Sequence, residues 1–277
     1  MRIIRGMAIN LGFTEIRAYG LVIAFGIVIA FFMARYLFKK LEYREEVVYE
    51  LLLLVVPLGI IGARLFYVLF SEHSFTFGQA FNLRTGGMAI YGGVIFGALA
   101  ILLYSRIRKS GPFATADVVA VVLILAQSIG RWGNFFNSEA YGLQTSWHFF
   151  PLTVMINESP HLATFFYESF LNFLGFILLL RIFTRQKKFG TTTAAYLIYY
   201  GIVRAVIEPL RLDSLLIFGT SDMVFNRISF VISLVIIILG VIILWLNRKG
   251  LIPQDNAALL EKNAIRKQKT KGGKGDE

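Results

Sequence analysis

A polar stretch at the end of an apolar run is the part of this chain best suited to chemistry. Residues 130–142 read GRWGNFFNSEAYG. Their polar side chains include Arg131, Asn134, Asn137 and Glu139. Charged and amide groups at the edge of lipid are costly unless they have partners, so their clustering indicates a site for a polar ligand. The glycines of the stretch, which include Gly142, allow backbone to approach backbone or ligand closely.

A second polar set follows one face of a later apolar segment. Its members, spaced by four, four and three residues, are Tyr200, Arg204, Glu208 and Arg211. This spacing aligns them on one side of a helix. Because a stripe of two arginines and a glutamate facing lipid is implausible, we expect it to face the protein interior or an aqueous cavity. The stripe therefore predicts either part of a polar site or an ion-pair network that holds helices together.

Further polar residues interrupt other apolar segments near the same predicted end. They are Tyr19, Arg84, Tyr91, Gln127 and Glu168, with Gly86 and Gly87 after Arg84 and Gly92 and Gly93 after Tyr91. Two glutamates and several arginines that converge from different helices favour a site over a purely structural network. The paired glycines suit close helix packing and ligand approach equally well. We interpret Asp117 and Arg64, which lie elsewhere in their segments, as structural.

The composition places these residues in a membrane protein. Of 277 residues, 56% are hydrophobic, with 26 Phe and 12 Tyr, and the mean hydropathy is +0.66. A soluble protein cannot bury that much apolar surface. The net charge of +11 does not indicate nucleic acid, because Lys and Arg cluster in short segments between apolar runs. The chain has no cysteine, which excludes disulfides, thiolate metal sites and an internal thiol nucleophile. The three histidines are too scattered to indicate a metal centre.

The apolar runs predict an all-α polytopic membrane protein with seven transmembrane helices. We place the spans at Ala18–Phe38, Val47–Phe70, Gly87–Tyr104, Thr115–Arg131, Thr164–Phe183, Thr192–Pro209 and Ile228–Leu246. Residues 1–250 would form the catalytic domain. Residues 251–277 would form a basic, disordered cytoplasmic tail that is either solvated or in contact with anionic headgroups.

The distribution of basic residues sets the predicted orientation. Lys and Arg are concentrated after the first, third, fifth and seventh spans. The positive-inside rule therefore places the N-terminus outside and the C-terminus in the cytoplasm. The outward loops, at about 71–86 and 136–163, carry aromatic residues that predict a small cap, either as an interfacial anchor or as an entrance for substrate. With this orientation the polar residues lie toward the outer leaflet, where several arginines can bind a phosphodiester by paired hydrogen bonds. Apolar walls would accept acyl chains, so a phospholipid is the predicted ligand.

The motifs resemble those of the bacterial phosphatidylglycerol–prolipoprotein diacylglyceryl transferases. Six ordered matches carry the resemblance: RAYGLVIAFG (17–26), GARLFYVLF (62–70), GGMAIYGGVIFG (86–97), GRWGNFFNSEAYG (130–142), FFYES (165–169) and YGIVRAVIEPLRLDSL (200–215). The resemblance implies an enzyme of the bacterial cytoplasmic membrane that works in the first step of lipoprotein maturation. It would transfer the sn-1,2-diacylglyceryl group of phosphatidylglycerol to the lipobox cysteine of a prolipoprotein signal peptide, forming a thioether and releasing glycerol 1-phosphate. It implies no metal and no cofactor.

The resemblance also implies roles for individual residues. Catalytic roles fall on Arg131, Arg204, Tyr91 and Glu168. Substrate-binding roles fall on Arg131, Asn134, Glu139, Gly142, Tyr19, Tyr200, Glu208 and Arg211. Tyr91 stands where some family members have a histidine that was proposed as a general base. A tyrosine hydroxyl is a poor base at neutral pH, so a histidine-base mechanism is not expected here.

Two other functions also fit polar residues within a membrane. A transporter or lipid-binding protein can carry intramembrane Arg and Glu, but no inverted repeat or paired broken helices are visible in the sequence. A phospholipid-dependent phosphotransferase usually needs a metal held by several aspartates, and the sequence shows no such cluster. In the favoured reaction the leaving phosphate gains negative charge, which Arg131 and Arg204 would offset.

Overall fold

The computed structural model describes residues 8–10, 15–70, 89–108, 111–212 and 227–254. This described part is mostly helical. Its α-helices are α1 (Ala18–Lys40), α2 (Glu46–Phe70), α3 (Ile90–Arg108), α4 (Pro112–Asn137), α5 (Thr164–Arg185), α6 (Thr191–Ile207) and α7 (Ile228–Arg248). The predictions for Arg84, Gly86 and Gly87, for loop 71–86 and for the tail from residue 255 lie outside the described residues.

Six of these helices are long and apolar enough to cross a membrane, namely α1 to α5 and α7. These six helices confirm the prediction of a polytopic membrane protein. Helix α6 has only 17 residues, which is short of the roughly 20 that cross the hydrocarbon core. Its status as a membrane span, which would bring the number of spans to seven, therefore stays a prediction.

The predicted end of the fourth span was too early. We expected it to end at Arg131, whereas α4 continues to Asn137. Arg131 and Asn134 are consequently helical residues, held in fixed directions by the helix and not by a loop.

The predicted helical stripe was wrong in its last step. Helix α6 ends at Ile207 and a short 3₁₀ turn, Glu208–Leu210, follows it. Pro209 has no N–H with which to continue the α-helical hydrogen bonds. Arg211 therefore has extended backbone, with φ −89° and ψ 143°, and does not share a helical face with Tyr200.

Two antiparallel hairpins add to the helices, which the all-α prediction did not include. Strand β1 (Ala8–Asn10) pairs with β2 (Glu15–Arg17), and β3 (Thr153–Ile156) pairs with β4 (Ser159–Leu162). The residues that join β3 to β4, Asn157 and Glu158, have φ of 47° and 68°. Two positive φ values in a two-residue loop are those of a type I′ turn, whose twist matches that of the strands.

The connection between α4 and α5 folds around its own apolar core. The buried members are Phe135, Ala140, Val154, Ile156, Ala163 and Phe165, with Trp132, Phe136, Tyr141 and Phe166 packed against them. Three aromatic side chains of the same connection remain exposed, namely Trp147, Phe149 and Phe150. The connection is thus a small folded element, whose placement outside the cell stays a prediction.

The chain divides into two compact units. One contains Ala34–Ala116 and Pro253–Glu277. In it, α2 and α3 approach closely at Gly62 and Gly92, where a Cβ atom on either glycine would collide with the facing helix. The Ala89 N–H also donates to the Ala63 carbonyl at 2.9 Å. Here the glycines serve close packing of helices.

The other unit contains Met1–Met33 and Asp117–Ile252. In it, Asp117 of α4 accepts hydrogen bonds from the N–H groups of Gly190 and Thr193, both at 2.8 Å. These N–H groups belong to the start of α6 and have no partner within that helix. Asp117 thus caps α6 from a neighbouring helix, which supports its structural interpretation. Helix α6 then packs on α7 through Gly201 and Gly240.

Candidate active site

The candidate site is built around the carboxylate of Glu168, on the first turns of α5. The residue is 1% exposed. Three arginines contact its side chain. The Arg204 Nη1 and Arg211 Nη1 atoms lie 2.9 Å and 3.1 Å from Oε1, and Arg131 Nη2 contacts Oε2. A buried carboxylate needs such partners, since an isolated buried charge is strongly unfavourable.

A second carboxylate extends this arrangement. Glu208 is fully buried, and its Oε2 lies 2.7 Å from Arg204 Nη2. Arg204 thus bridges the two carboxylates, one with each terminal nitrogen. We call Arg131, Glu168, Arg204, Glu208 and Arg211 the Arg–Glu cluster.

The contact between α4 and α5 sets the distance between Arg131 and Glu168. The Ser128 hydroxyl donates to the Ser169 carbonyl at 2.9 Å, and the Ser169 hydroxyl donates to the Ser128 carbonyl at 2.8 Å. Both serines are buried. This reciprocal pair lies one turn from Arg131 and next to Glu168, so it holds the two helices together at the level of the cluster.

Gly142 supports Arg211 through the backbone. The two residues form an isolated antiparallel bridge, and the neighbouring Leu143 N–H donates to the Leu210 carbonyl at 3.0 Å. A Cβ atom at Gly142 would lie 2.5 Å from that carbonyl oxygen. Only glycine allows the two segments to approach this closely. Gly142 therefore acts on the cluster by placing the segment that carries Arg211.

Asn134 and Glu139 lie at the end of α4 and stabilise the turn that follows it. The Glu139 N–H donates to the Asn134 carbonyl at 2.9 Å. The Asn137 side-chain amide donates to Glu139 Oε1 at 3.4 Å. Asn134 and Glu139 thus follow Arg131 closely along the chain, and the contacts described here join them to one another and to Asn137.

The three predicted tyrosines make different contacts. The ring of Tyr200 stacks on that of Tyr196, with centroids 5.7 Å apart. The Tyr19 ring packs on α4 at Gly133, where an added Cβ would lie 2.7 Å from Tyr19 Cδ2. Tyr91 belongs to the other compact unit, where its ring lies 6.5 Å from that of Phe66.

Two residues at the start of α7, Arg227 and Ser229, contact the cluster and were missed by sequence analysis. Arg227 Nη1 donates to the carbonyl oxygens of Glu208, at 2.5 Å, and Arg211, at 3.2 Å. The Ser229 hydroxyl accepts a hydrogen bond from Arg204 Nη2 at 3.1 Å. One signal in the sequence could have indicated them. Both residues lie at the start of the seventh span, which is predicted to be at the same membrane surface as the polar residues of the other spans.

The arrangement suits recognition of an anion by guanidinium groups. Arginine remains charged in any protein environment, and its planar fork matches the oxygens of a phosphate. Glu168 and Glu208 fix the directions of these groups before a ligand arrives, which lowers the cost of ordering them on binding. Within the described residues, no group of three or more His, Cys, Asp or Glu side chains is arranged to hold a metal ion.

The chain is similar to known proteins over most of its length. The family described as prolipoprotein diacylglyceryl transferase matches residues 6–246. The phosphatidylglycerol–prolipoprotein diacylglyceryl transferase of Lactobacillus acidophilus is 37% identical over 266 residues, which cover 90% of this chain and 92% of that protein. The protein of the same name from Streptococcus pneumoniae is 40% identical over 258 residues, covering 88% and 94%. These matches confirm the resemblance drawn from the six motifs.

Proposed function

This chain belongs to the prolipoprotein diacylglyceryl transferase family, and on that premise we propose that its Arg–Glu cluster is the site of the transfer reaction. The enzyme transfers the diacylglyceryl group of phosphatidylglycerol to the lipobox cysteine of a prolipoprotein, the first step of lipoprotein maturation. The observation that carries the assignment to the cluster is the contact of one buried carboxylate, Glu168, with three arginines from separate segments.

The reaction is a displacement at the glyceryl C3 carbon. The sulfur of the lipobox cysteine forms a C–S bond with C3, the C3–O bond to phosphate breaks, and glycerol 1-phosphate leaves with the electron pair. The thiol releases its proton, and the product is a thioether. Because a free thiol is already a few per cent ionised at neutral pH, and nearby cations raise that fraction, the step does not require a strong base.

Arg131 and Arg204 offset the charge that develops on the leaving phosphate. Charge on the phosphate is larger in the transition state than in the ground state, so fixed cations stabilise the transition state more strongly. Glu168 orients both arginines, and Arg204 is further fixed by Glu208. This gives Glu168 a role in catalysis through the directions of the guanidinium groups.

The remaining residues are assigned to substrate binding. Arg211 adds a third guanidinium to the phosphate site, and Glu208 orients the cations. Tyr19, Tyr200, Asn134, Glu139 and Gly142 shape the surroundings in which the phospholipid headgroup and the peptide meet. For Tyr91, by contrast, we propose a catalytic role but not that of the proton acceptor, since a tyrosine hydroxyl is a poor base at neutral pH.

The proposed membrane arrangement follows the distribution of basic residues. Seven spans, with α6 as the sixth, place the N-terminus outside and the C-terminal tail in the cytoplasm. The folded α4–α5 connection then forms a cap on the outer surface. The Arg–Glu cluster lies near the ends of α4, α5 and α6 that adjoin this connection, which puts the phosphate site at the level of the outer headgroups.

Mass spectrometry of the product tests the function directly. The purified protein is incubated with phosphatidylglycerol and a lipobox peptide, and a peptide with serine in place of the lipobox cysteine is the control. We expect a diacylglyceryl mass on the cysteine peptide alone, with release of an equal amount of glycerol 1-phosphate. Lipid movement without a covalent product would indicate a transporter, and a phosphate-containing adduct would indicate a phosphotransferase. Either result contradicts the proposal.

A further inference from the structure

The start of α7 is joined to the Arg–Glu cluster by two polar side chains. Arg227, which directly precedes the helix, is 7% exposed and donates through Nη1 to the carbonyl oxygens of Glu208 and Arg211. Ser229, in the first turn, accepts a hydrogen bond from Arg204 at 3.1 Å. These contacts reach the cluster from a helix to which no functional residue has been assigned.

The backbone that Arg227 contacts lies beyond the α-helical hydrogen bonds of α6, in a 3₁₀ turn whose Arg211 N–H donates to the Glu208 carbonyl at 3.2 Å. Helix α6 ends at Ile207, and the last carbonyl groups of a helix have no partner within it. Pro209 prevents the helix from continuing. The Nη1 atom of Arg227 carries two N–H groups, so it can donate to both carbonyl oxygens at once.

The same turn is also held by the segment at Gly142. Leu143 donates its N–H to the Leu210 carbonyl at 3.0 Å, and Gly142 bridges to Arg211. Arg227 and this segment together fix the backbone of residues 208–211. The side chains of Glu208 and Arg211 start from that backbone, so its position decides where their charged groups meet Arg204 and Glu168.

We propose that Arg227 is a positioning residue for diacylglyceryl transfer. It holds the Glu208–Arg211 turn so that both charged groups reach the cluster, while Ser229 fixes the second nitrogen of Arg204. The proposal rests on the proposed function of the cluster. A displacement of about 1 Å in a group that stabilises a transition state can lower the rate about 100-fold, so loss of this clamp should act mainly on kcat.

The test compares Arg227→Met and Arg227→Lys with a control at the opposite end of the same helix pair. Asn247 of α7 is also buried, and its amide donates to the Phe189 carbonyl and to Thr191 Oγ1, both at 3.0 Å. Asn247→Ala therefore removes polar contacts between α7 and the start of α6 without touching the cluster. Thermal unfolding of each variant in detergent, beside kcat and KM for the lipobox peptide, separates lost stability from lost positioning.

We expect Arg227→Met to lower kcat about 30-fold or more with KM changed less than about 3-fold, and Arg227→Lys to recover part of that loss. Ser229→Ala should lower kcat about 3- to 10-fold, since it removes one contact to Arg204. Asn247→Ala should retain wild-type kcat at a comparable unfolding temperature. If Arg227→Met does not fold, Arg227→Lys and Ser229→Ala carry the comparison.

A double-mutant cycle measures the coupling between Arg227 and Arg211 in kcat, a quantity that general destabilisation does not change. If Arg227 acts through the Glu208–Arg211 turn, then adding Arg227→Lys to Arg211→Met should lower kcat by clearly less than it does in the wild type. Independent effects in the cycle, or Arg227 variants that match Asn247→Ala in kcat, overturn the positioning role. An inactive wild-type protein would instead overturn the proposed function, so the two failures are distinguishable.

Discussion

At the scale of the residue, the cluster depends on how one carboxylate orients several cations. Glu168 contacts Arg204 and Arg211 through Oε1 and Arg131 through Oε2. A buried ion pair contributes little net stability, but removal of one partner leaves an uncompensated charge. Such a cluster is therefore better explained by the placement of guanidinium groups than by stability alone.

Replacement of Arg131 by lysine tests the guanidinium itself. Lysine keeps the charge but lacks the planar fork, which in the proposed mechanism binds the phosphate while it contacts Glu168, so we expect the transfer rate to fall about 100-fold. The rate of diacylglyceryl-peptide formation measures this. Arg181→Lys, an exposed position elsewhere on α5, is the matched control and should leave the rate unchanged. A rate for Arg131→Lys within about twofold of that control would refute the assigned role.

Replacement of Glu168 by glutamine tests the carboxylate. Glutamine keeps the shape but removes the charge that the three arginines contact, so we expect the free energy of unfolding to fall by about 3–5 kcal/mol and transfer to be lost. Glu45→Gln removes the partner of Arg35 at an exposed ion pair, where the side chain of Glu45 is 51% exposed. That change should cost about 0–1 kcal/mol. Equal unfolding temperatures for the two variants would contradict the central role of Glu168.

At the scale of the element, two backbone features decide whether Arg211 reaches Glu168. Pro209 ends α6, and the segment at Gly142 then holds the extended residues that follow. Because the chain turns here and does not continue as a helix, Arg211 reaches the same Glu168 oxygen, Oε1, that Arg204 contacts. The chain thus reaches the cluster with Arg204 from inside α6 and with Arg211 from beyond its end.

Replacement of Gly142 by alanine tests this backbone contact. The added Cβ would lie 2.5 Å from the Leu210 carbonyl oxygen and 2.7 Å from Thr164 Cγ2, so the Leu210–Arg211 segment must shift. We expect a loss of activity of about 10- to 100-fold, because Arg211 moves with it. In Gly97→Ala the nearest atom to the new Cβ is Val55 Cγ1 at 3.9 Å, so this variant should retain activity. Similar rates for the two alanine variants would show that the contact does not position the site.

The elements show which parts of the site are readable from sequence. Arg131, Arg204 and Glu168 were singled out because polar residues in apolar helices stand out, and for Arg204 the spacing to Tyr200 and Glu208 also predicts a shared helical face. The position of Arg211 was wrong because helical spacing was extended beyond Pro209. Arg227 and Ser229 were missed since their contacts depend on how α7 packs on α6, which no local pattern specifies. The β3–β4 hairpin was missed because its strands are only four residues long and β4 contains Pro160.

At the scale of the whole molecule, hydropathy indicates the class of protein and the distribution of charge predicts its orientation in the membrane. Long apolar helices make the chain a multi-pass membrane protein, and the basic residues at alternate connections predict its orientation. The orientation matters for the proposed chemistry, because the substrate that the family resemblance implies is a secreted prolipoprotein. A phosphate site at the cytoplasmic surface would not meet that substrate.

Cysteine labelling tests the orientation, since the natural chain has no cysteine and gives no background. Ser146→Cys lies in the exposed α4–α5 connection, and Lys187→Cys lies in the exposed connection between α5 and α6. Because the two sites flank the single helix α5, opposite sides of the membrane are expected for them. A membrane-impermeant maleimide should label position 146 in intact cells and position 187 only after permeabilisation. The reverse pattern would place the Arg–Glu cluster at the cytoplasmic surface, and labelling of both positions in intact cells would show that α5 does not span the membrane.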